Sequence, residues 1–540
     1  MKNEMNKTQV PASGLAGLIE NWKSDSLSGF LVLLLALPLS LGIAKASEFP
    51  PVFGLITAMI GGVVVAFVSG SELTIKGPAA GLIVIVAGSV AEFGHHNTNL
   101  GWHLTLGAIV VAGLLQIIFG WLKLGKLADF FPLSAVHGML AAIGIIIISK
   151  QVHLLLGVNP VNESGKPIVE PLDLIAAIPS TLSKIAMHYK VVIVGLISLL
   201  IVFGWPYITN KWLKKIPSAM VVLIVSIPLA HFIGIHNVGE EKPLVSFDKG
   251  LSDILAINVS FEGAKQLGTF IKYVIMFALV GSLEALLTVK AIDGMDPFKR
   301  KSNYNKDLFA VGLGNVVAGI LGGLPMISEV ARSSANVANG GKTRWANFFH
   351  GVFICLFLVL AVYFSDLIPL GALAAMLIGV GWKLTHPREF FHMAQIGKDQ
   401  MGIFIVTIIV TLSTDLLIGI AAGIILKMIM HISRGARIAQ LFKSDMRIEG
   451  DYIFLQGAVI FSNFGRVRKC ISNFPAEEKL HIVLENCKLI DHSVIESLHL
   501  IKAERESMGG GMEIIGLDAL RHVTNSSHHL ATRLRKINEQ

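Results

Sequence analysis

Two stretches of the chain share one construction and decide its fold: residues 70–81, GSELTIKGPAAG, and residues 322–334, GGLPMISEVARSS. In each stretch an extended piece that contains Gly or Pro leads into an apolar helical segment. A helix that begins inside a membrane exposes unpaired backbone N–H groups and a partial positive charge. Two such ends facing each other can bind an anion, provided that protein or a water-filled cavity covers the extended backbone. The alternative is that Gly and Pro merely kink two packed helices.

The surrounding composition predicts a polytopic α-helical membrane protein. Of 540 residues, 53% are hydrophobic and only 15% are charged, whereas a soluble protein has about 25% charged residues. Apolar runs of roughly 20 residues, enough to cross a bilayer, recur from about Gly29 to about Ile432. The fourteen predicted spans lie near Gly29–Lys45, Val52–Ser69, Ile75–Val90, Leu104–Leu122, Leu133–Ser149, Val191–Ile208, Ala219–Ile235, Phe270–Thr288, Leu308–Leu321, Ile327–Ala338, Phe348–Phe364, Ile368–Trp382, Gly402–Thr414 and Leu416–His431.

The two opening stretches belong to the third span of the first seven and the third span of the second seven. Matching interrupted segments in two halves indicate an inverted repeat with a binding site near the membrane midplane. We therefore expect a transport domain at 29–432, built as a 7+7 inverted repeat from about 29–236 and 268–432. Residues 1–28 are polar and lack the apolar region of a cleavable signal peptide, so they are predicted to be cytoplasmic.

The net charge of +8 arises from basic residues in short loops between spans, where Lys and Arg set membrane orientation. The pattern predicts a multi-pass protein of the cytoplasmic (inner) membrane with both termini in the cytoplasm. The loops assigned to that side carry Lys123, Lys126, Lys211, Lys214, Lys215, Lys299, Arg300, Lys301, Lys306, Lys342, Arg344, Lys383, Arg388, Lys398, Lys427, Arg434 and Arg437. The long opposite loops, Asn159–Asp173 and Asn237–Asp253, are more acidic. The sequence contains no basic stretch interleaved with aromatic residues, so nucleic-acid binding is not predicted.

Neither an enzyme nor a cofactor is predicted. The sequence contains no recognisable catalytic triad, metal cluster or phosphate-binding loop. Cys355, Cys470 and Cys487 lack the spacing of a metal site or of a disulfide framework. The only accessory species we expect is a coupling ion, Na⁺ or H⁺.

Four charged residues inside the spans are candidates for the site, because a charge at the bilayer centre costs about 2.5 to 3.5 kcal/mol even on the lenient scale. Lys76 and Glu329 are expected to face one cavity and to pair. Lys76 would supply positive field for an anion, and Glu329 would neutralise it or carry a proton; the alternative is a purely structural pair. Glu284 is a candidate for ion coupling or a hydrogen-bond anchor. Arg332 either faces the anion or closes a helix–helix contact, and His137 is expected at a helix interface.

Beyond about Met446 the composition changes to that of a small α/β domain. Strands are predicted at 453–455, 481–485 and 513–516, and helices at 493–507 and 517–523. This domain would occupy residues 446–540, after a linker at 433–445.

Several motifs resemble the SulP (sulfate permease) family. They are Ala36-Leu37-Pro38, Pro50-Pro51-Val52-Phe53-Gly54-Leu55, Gly77-Pro78, Gly281-Ser282-Leu283-Glu284-Ala285-Leu286-Leu287, Gly312-Leu313-Gly314-Asn315, Gly322-Gly323-Leu324-Pro325 and Ala331-Arg332-Ser333. The resemblance implies a 7+7 fold shared with nucleobase permeases, with core and gate domains, an elevator-like motion and a homodimer.

The same resemblance implies an anion site between the third and tenth half-helices. Arg332 joins the substrate-binding candidates because of its position one turn into the tenth span. One side would consist of Lys76, Gly77, Pro78 and Ala79, and the other of Ile327, Ser328, Glu329, Val330 and Ala331. Glu284 matches the eighth-span acid associated with coupling. This sequence departs from the family pattern at Lys76 and Glu329, where small or polar residues are common.

The tail resembles STAS domains through Leu489-Ile490-Asp491-His492-Ser493-Val494. Ser493 aligns with the phosphorylatable serine of anti-sigma antagonists, but His492 and Val494 break that motif. Ser493 is therefore a candidate regulatory residue or a structural and docking residue. Asp491 can still cap the following helix, and a cytoplasmic partner of this domain is expected.

The predicted function is secondary active transport of a small inorganic anion, sulfate or bicarbonate, coupled to H⁺ or Na⁺ or operating by exchange. One alternative is an anion channel or an anion-binding relative that does not complete transport. Another is a dicarboxylate or nucleobase permease of the same fold.

Overall fold

The structure is a computed structural model. It describes residues 10–95, 97–125, 131–161, 168, 170–210, 213, 216–235, 243–245, 256–360, 367–475, 477–507, 509–524 and 528–535. They cluster into two compact units, one from Met1–Gly125 with Gly144–Lys383 and one from Lys126–Ile143 with Leu384–Gln540. Among the predicted features, Lys126, Lys211, Lys214, Lys215, Phe364, residues 162–167 and 169 of the first long loop and most of the loop 237–253 lie outside the described residues.

Helices dominate both units. The α-helices up to residue 433 are Gly14–Ala46, Val52–Val63, Val65–Val68, Ile83–Gly94, Thr98–Trp121, Leu133–Leu155, Pro171–Ala176, Ile178–Leu182, Tyr189–Gly204, Ser218–Ile233, Leu267–Met295, Tyr304–Leu321, Val330–Ala338, Trp345–Leu360, Leu370–Leu384, Pro387–Ile396, Lys398–Ser413 and Leu416–Ser433. Each of the fourteen predicted spans overlaps at least one of them.

Within the part of the chain that the structure describes, six helical segments are both long and apolar enough to cross a membrane. They are Gly14–Ala46, Thr98–Trp121, Leu133–Leu155, Tyr189–Tyr207, Leu267–Met295 and Leu416–Ser433. The first begins at Gly14 rather than near Gly29, so the predicted start was wrong. Residues 14–28 continue the helix because its buried polar side chains find partners: Ser28 Oγ donates to Asn336 Oδ1 over 2.7 Å.

The two interrupted stretches form short strands and not continuous helices. Strand β1 is Lys76–Pro78 and strand β2 is Met326–Ser328, and they pair antiparallel. Each strand is followed by a short helix: the apolar helix Ile83–Gly94 after β1 and the amphipathic helix Val330–Ala338 after β2, which we call the first and second half-helices. The sequence prediction of extended pieces leading into partial helices is confirmed.

Close helix packing supports this strand pair. Helices Thr98–Trp121 and Tyr304–Leu321 touch backbone to backbone, because a Cβ at Gly113 would lie 2.8 Å from the carbonyl oxygen of Gly312. From these two helices, Gln116 and Asn315 meet through a 2.7 Å hydrogen bond. The Asn315 amide group also accepts from the N–H of Met326 over 2.6 Å, which fixes the start of β2.

The chain after residue 444 forms a six-stranded sheet with two helices. The strands are β3 Asp445–Glu449, β4 Tyr452–Val459, β5 Lys479–Ile490, β6 Gly511–Ile515, β7 Arg521–His522 and β8 Arg533–Leu534, in the order β3-β4-β5-β8-β7 with β6 on β5. The helices are Phe464–Ile471 and His492–Ser507. The strands predicted at 453–455, 481–485 and 513–516 and the helix predicted at 493–507 are confirmed.

The predicted helix at 517–523 was wrong. Gly516 has a positive φ of 84°, which turns the chain away from β6. Arg521 and His522 then pair antiparallel with β8, because an extended segment can form the ladder hydrogen bonds of a sheet and a helix cannot. The amphipathic helices Pro387–Ile396 and Phe464–Ile471 were not predicted; both are short, and their apolar residues alternate with polar ones and form no long apolar run.

Candidate functional site

Strands β1 and β2 bring the two predicted sides of the site into direct contact. Lys76 lies opposite Ser328, Gly77 opposite Ile327 and Pro78 opposite Met326. The ladder continues at both ends, since Ala79 N donates to Pro325 O over 3.2 Å and Glu329 N donates to Ile75 O over 3.0 Å. Candidate residues from the two sides, such as Lys76 and Ser328, which are 252 positions apart in the sequence, are therefore neighbours.

The two half-helices begin differently. The short helical turn Ala80–Leu82 leads into the first half-helix, and the side chain of Ala79 offers no cap. At the second half-helix the Glu329 carboxylate accepts from the N–H of Arg332 over 2.8 Å. A helix N-terminus favours negative charge, so the second end already holds a resident carboxylate. The first end has no capping side chain of its own.

Lys76 does not pair with Glu329, so that prediction was wrong. Its side chain is fully buried, and Nζ lies 2.7 Å from Asp307 Oδ1. Nζ also donates to Thr74 Oγ1 over 2.6 Å and to Ser328 Oγ over 2.7 Å. The strand register explains the difference, because it sets Lys76 opposite Ser328 while Glu329 turns back onto its own helix.

Asp307 is a site residue that the sequence prediction missed. It lies in the first turn of helix Tyr304–Leu321 and is 1% exposed. The available signal was its position between basic loop residues and an apolar span, where an acid needs a partner. Without the fold, nothing in the sequence linked it to Lys76.

Arg332 is fully buried in the first turn of the second half-helix. Its Nη2 donates to Ser40 Oγ over 3.0 Å, and its Nε lies 4.0 Å from Glu329 Oε2. Within the described part of the chain, Nε and Nη1 have no hydrogen-bond partner. A Cβ built on Gly77 would collide with Nη1. The guanidinium therefore lies against β1 with donors to spare, which makes it the strongest candidate ligand for an anion.

Glu284 lies in helix Leu267–Met295 and is 6% exposed. Its Oε1 has no hydrogen-bond partner among the described residues. A Cβ on Gly81 would collide with this carboxylate, so Glu284 contacts the start of the first half-helix. Glu284 and Glu329 are close enough for their charges to interact. The hydrogen-bond anchor considered in the sequence analysis is not formed by Oε1.

His350 was also missed by the sequence analysis. It lies in helix Trp345–Leu360, is fully buried, and neither ring nitrogen has a hydrogen-bond partner in the described ranges. Its ring interacts electrostatically with Arg332. A lone His in an apolar span carries no sequence signal that separates a site residue from a packing residue.

The remaining predicted residues occupy less polar positions around these groups. Pro78, Ala79 and Ile327 are buried in or beside the strand pair, Val330 is exposed, and Ala331 is half-buried. His137, expected at a helix interface, has Nδ1 3.1 Å from Glu389 Oε2. This pair links helix Leu133–Leu155 to helix Pro387–Ile396, so His137 lies at a helix interface.

Ser493 and Asp491 lie in a buried charged cluster of the second unit. Ser493 Oγ accepts from Lys427 Nζ over 3.0 Å, and Asp491 Oδ2 lies 3.3 Å from both Lys427 Nζ and His431 Nε2. Asp491 Oδ1 accepts from Val494 N over 2.9 Å, which confirms the predicted cap. Burial raises the pKa of Asp491, but Lys427 and His431 outweigh it and hold that pKa well below its usual range. Phosphorylation of Ser493 stays a prediction.

Comparison with known proteins places this geometry in a family. The profile of the Sulfate permease family matches residues 22–409. The putative sulfate transporter YvdB of Bacillus subtilis is 26% identical over 433 residues, covering 79% of this chain and 77% of the relative. The bicarbonate transporter BicA of Picosynechococcus is 24% identical over 416 residues, covering 77% of this chain and 71% of the relative.

A solved structure agrees with the sequence comparison at the level of the fold. The transmembrane domain of a cyanobacterial bicarbonate transporter, BicA, matches with a TM-score of 0.64 at 24% identity, covering 75% of this chain and 98% of that domain. The family profile spans well over half of the chain. This multi-pass membrane protein belongs to the sulfate permease family.

Proposed function

We propose that the protein is a secondary active transporter of a small inorganic anion, with sulfate and bicarbonate as the first candidates. The anion would bind between the two half-helices, against Gly77, Pro78 and Ala79 on one side and Ser328 and Arg332 on the other. The observation that carries the proposal is the buried Arg332 guanidinium beside Gly77, two of whose nitrogens have no hydrogen-bond partner among the described residues. A buried cation with spare donors is stabilised when an anion supplies the missing acceptor.

The charges around this position support coupling to a cation. Lys76 is matched by Asp307, and Arg332 lies beside Glu329. Glu284 has no salt-bridge partner among the described side chains, and its buried carboxylate would repel an anion. Binding of H⁺ or Na⁺ at Glu284 would remove that repulsion. We therefore propose that anion and cation enter together, with Glu284 and Glu329 as the coupling residues.

The relatives support an anionic substrate but do not identify it, because one is described as a putative sulfate transporter and another as a bicarbonate transporter. Family membership also supports, as proposals, an elevator-like motion, a homodimer and a STAS identity for the C-terminal domain. We propose that this domain and both termini lie in the cytoplasm, as the distribution of basic loops favours.

Reconstitution of the full chain into proteoliposomes tests the proposal. Uptake of labelled sulfate and of labelled bicarbonate is measured with and without a Na⁺ gradient and with and without a pH gradient. Saturable uptake that a cation gradient accelerates is the expected result. A current that rises linearly with voltage would instead identify a channel, and competition by uracil would identify a nucleobase permease.

A further inference from the structure

One carboxylate receives hydrogen bonds from the segments on both sides of the strand pair. Asp307 Oδ1 accepts from Lys76 Nζ over 2.7 Å, from Ser69 Oγ over 2.8 Å and from Gly70 N over 3.2 Å. Its Oδ2 accepts from Ser328 Oγ over 2.9 Å. Lys76 and Asp307 are 0% and 1% exposed, so water does not compete for these contacts.

The four donors come from opposite halves of the chain. Ser69, Gly70 and Lys76 precede or belong to β1, whereas Ser328 is the last residue of β2. Lys76 and Ser328 are directly opposite in the ladder, and Lys76 Nζ also donates to Ser328 Oγ. Three groups, an ammonium, a carboxylate and a hydroxyl, thus close a triangle across the two strands.

A buried ion pair with all its partners contributes orientation more than net stability. The strand ladder has only three paired positions, which is too short to fix the direction of two half-helices on its own. Asp307 adds a side-chain connection at one end of the ladder. The residue after Lys76 is Gly77, against which Arg332 lies, so a shift of Lys76 would move the candidate anion ligands.

We infer that Asp307 is a positioning residue for anion binding: through Lys76 and Ser328 it holds the two strands in register, and it cancels the Lys76 charge beside the site. The inference rests on the proposed anion site between the half-helices. Neither Lys76 nor Asp307 then binds the anion directly, because each is occupied by the other and by the neighbouring hydroxyl and backbone groups.

The charge part of the inference is tested by the KM for anion uptake in three variants. Lys76→Met leaves Asp307 uncompensated and should raise the KM about tenfold, since an unscreened charge acts strongly in a buried site. Asp307→Asn leaves Lys76 uncompensated and should lower the KM by a similar factor. The double variant should return to within about threefold of the wild type, because the two charges act on the same site. Shifts in the same direction in both single variants would show that Asp307 does not act by cancelling the Lys76 charge beside the site.

The positioning part is tested by backbone hydrogen exchange, which needs no transport. Asp307→Ala should accelerate exchange in residues 69–79 and in residues 326–332 together. The matched control is Asp399→Ala, because Asp399 is also a buried carboxylate with a cationic partner, Arg434 Nη1 at 3.0 Å, and it belongs to the other unit. The control should leave both segments unchanged. Acceleration in only one of the two segments would show that Asp307 does not connect them.

The two measurements separate failure of this inference from failure of the proposed function. Absence of anion uptake by the wild-type protein, with joint acceleration in Asp307→Ala, would reject the transport proposal and leave a structural connection between the strands. Normal uptake with unchanged exchange in Asp307→Ala would reject the inference alone.

Discussion

The guanidinium of Arg332 lies in the space that a side chain at Gly77 would fill. A Cβ on Gly77 would meet Nη1 and then Cζ, the latter at 3.0 Å. The absence of a side chain at residue 77 is thus what allows the second half-helix to present a buried cation to the first strand. The contact joins the two interrupted stretches at the position where we propose that the anion binds.

Gly77→Ala should therefore impair binding without unfolding the protein. The added methyl group displaces the end of a flexible side chain, so Arg332 moves and the backbone does not. Losing a hydrogen bond from a charged donor should raise the KM for anion uptake about tenfold. The matched control is Gly204→Ala, because a Cβ there meets nothing within 4 Å. Equal KM values for the two variants would contradict a role for this contact.

Glu329→Gln should increase the affinity for the anion. The carboxylate occupies the N-terminus of the second half-helix and lies 4.0 Å from Arg332 Nε, so it competes with an incoming anion for both. Glutamine can still accept from the N–H of Arg332 but carries no charge, and the KM should fall about tenfold. Glu262→Gln, in an exposed pair with Lys265, is the control. An increase in KM would mean that Glu329 assists the anion.

Glu284→Gln should uncouple anion movement from the cation gradient. A neutral side chain imitates the protonated or cation-bound acid, so the anion should bind without a cation. Exchange of internal for external labelled anion should persist, while acceleration by a Na⁺ or pH gradient should disappear. Glu92→Gln is a suitable comparison, since Glu92 is matched by Lys272 at 3.0 Å. Retained acceleration in Glu284→Gln would place coupling at another residue.

Asp491→Asn should weaken the attachment of the C-terminal domain to helix Leu416–Ser433. The pKa of Asp491 is depressed in the folded protein, so its contribution is fully present above its unfolded pKa, about 3.9. That contribution is lost as pH falls through the lower folded value. Removing one member of a buried pair costs about 3 to 5 kcal/mol.

The measurement is protease resistance of residues 446–540 in the full-length protein between pH 3 and pH 7. Asp491→Asn should increase cleavage at neutral pH and reduce the acid dependence below about pH 4. Asp451→Asn, whose half-exposed carboxylate lies 3.6 Å from His481, should change little. Equal resistance of Asp491→Asn and the wild type at pH 7 would contradict the prediction.

Cys487 should be unreactive in the folded protein. Burial raises the pKa of its thiol to about 12, an effect larger than the opposing hydrogen bonds, so almost no thiolate forms at neutral pH. A water-soluble maleimide at pH 7.5 should label Cys487 only after denaturation, as read by mass spectrometry of the peptide. Rapid labelling of the native protein would show that β5 is not buried in the sheet.

The sequence was sufficient to predict the paired interruptions because Gly and Pro mark them locally and the surrounding spans are strongly apolar. The positions of Lys76, Gly77, Ser328 and Arg332 followed from these interruptions. The partner of Lys76 did not, since Lys76 and Asp307 are 231 positions apart and only the strand register decides between Asp307 and Glu329. His350 was missed for a related reason: its relevance depends on burial beside Arg332, which no local pattern encodes.

The hydrogen-bonded pairing of β1 with β2 restricts how the protein can expose its site to either side of the membrane. A gate that pulled the half-helices apart would leave backbone amides and carbonyls of both strands unsatisfied in an apolar interior. We therefore expect the two paired strands to move as one unit together with the bound anion. The site would then open to one side of the membrane and then the other as this unit slides against the remaining helices. Inhibitors that bind at that sliding interface should stop transport without competing for the anion.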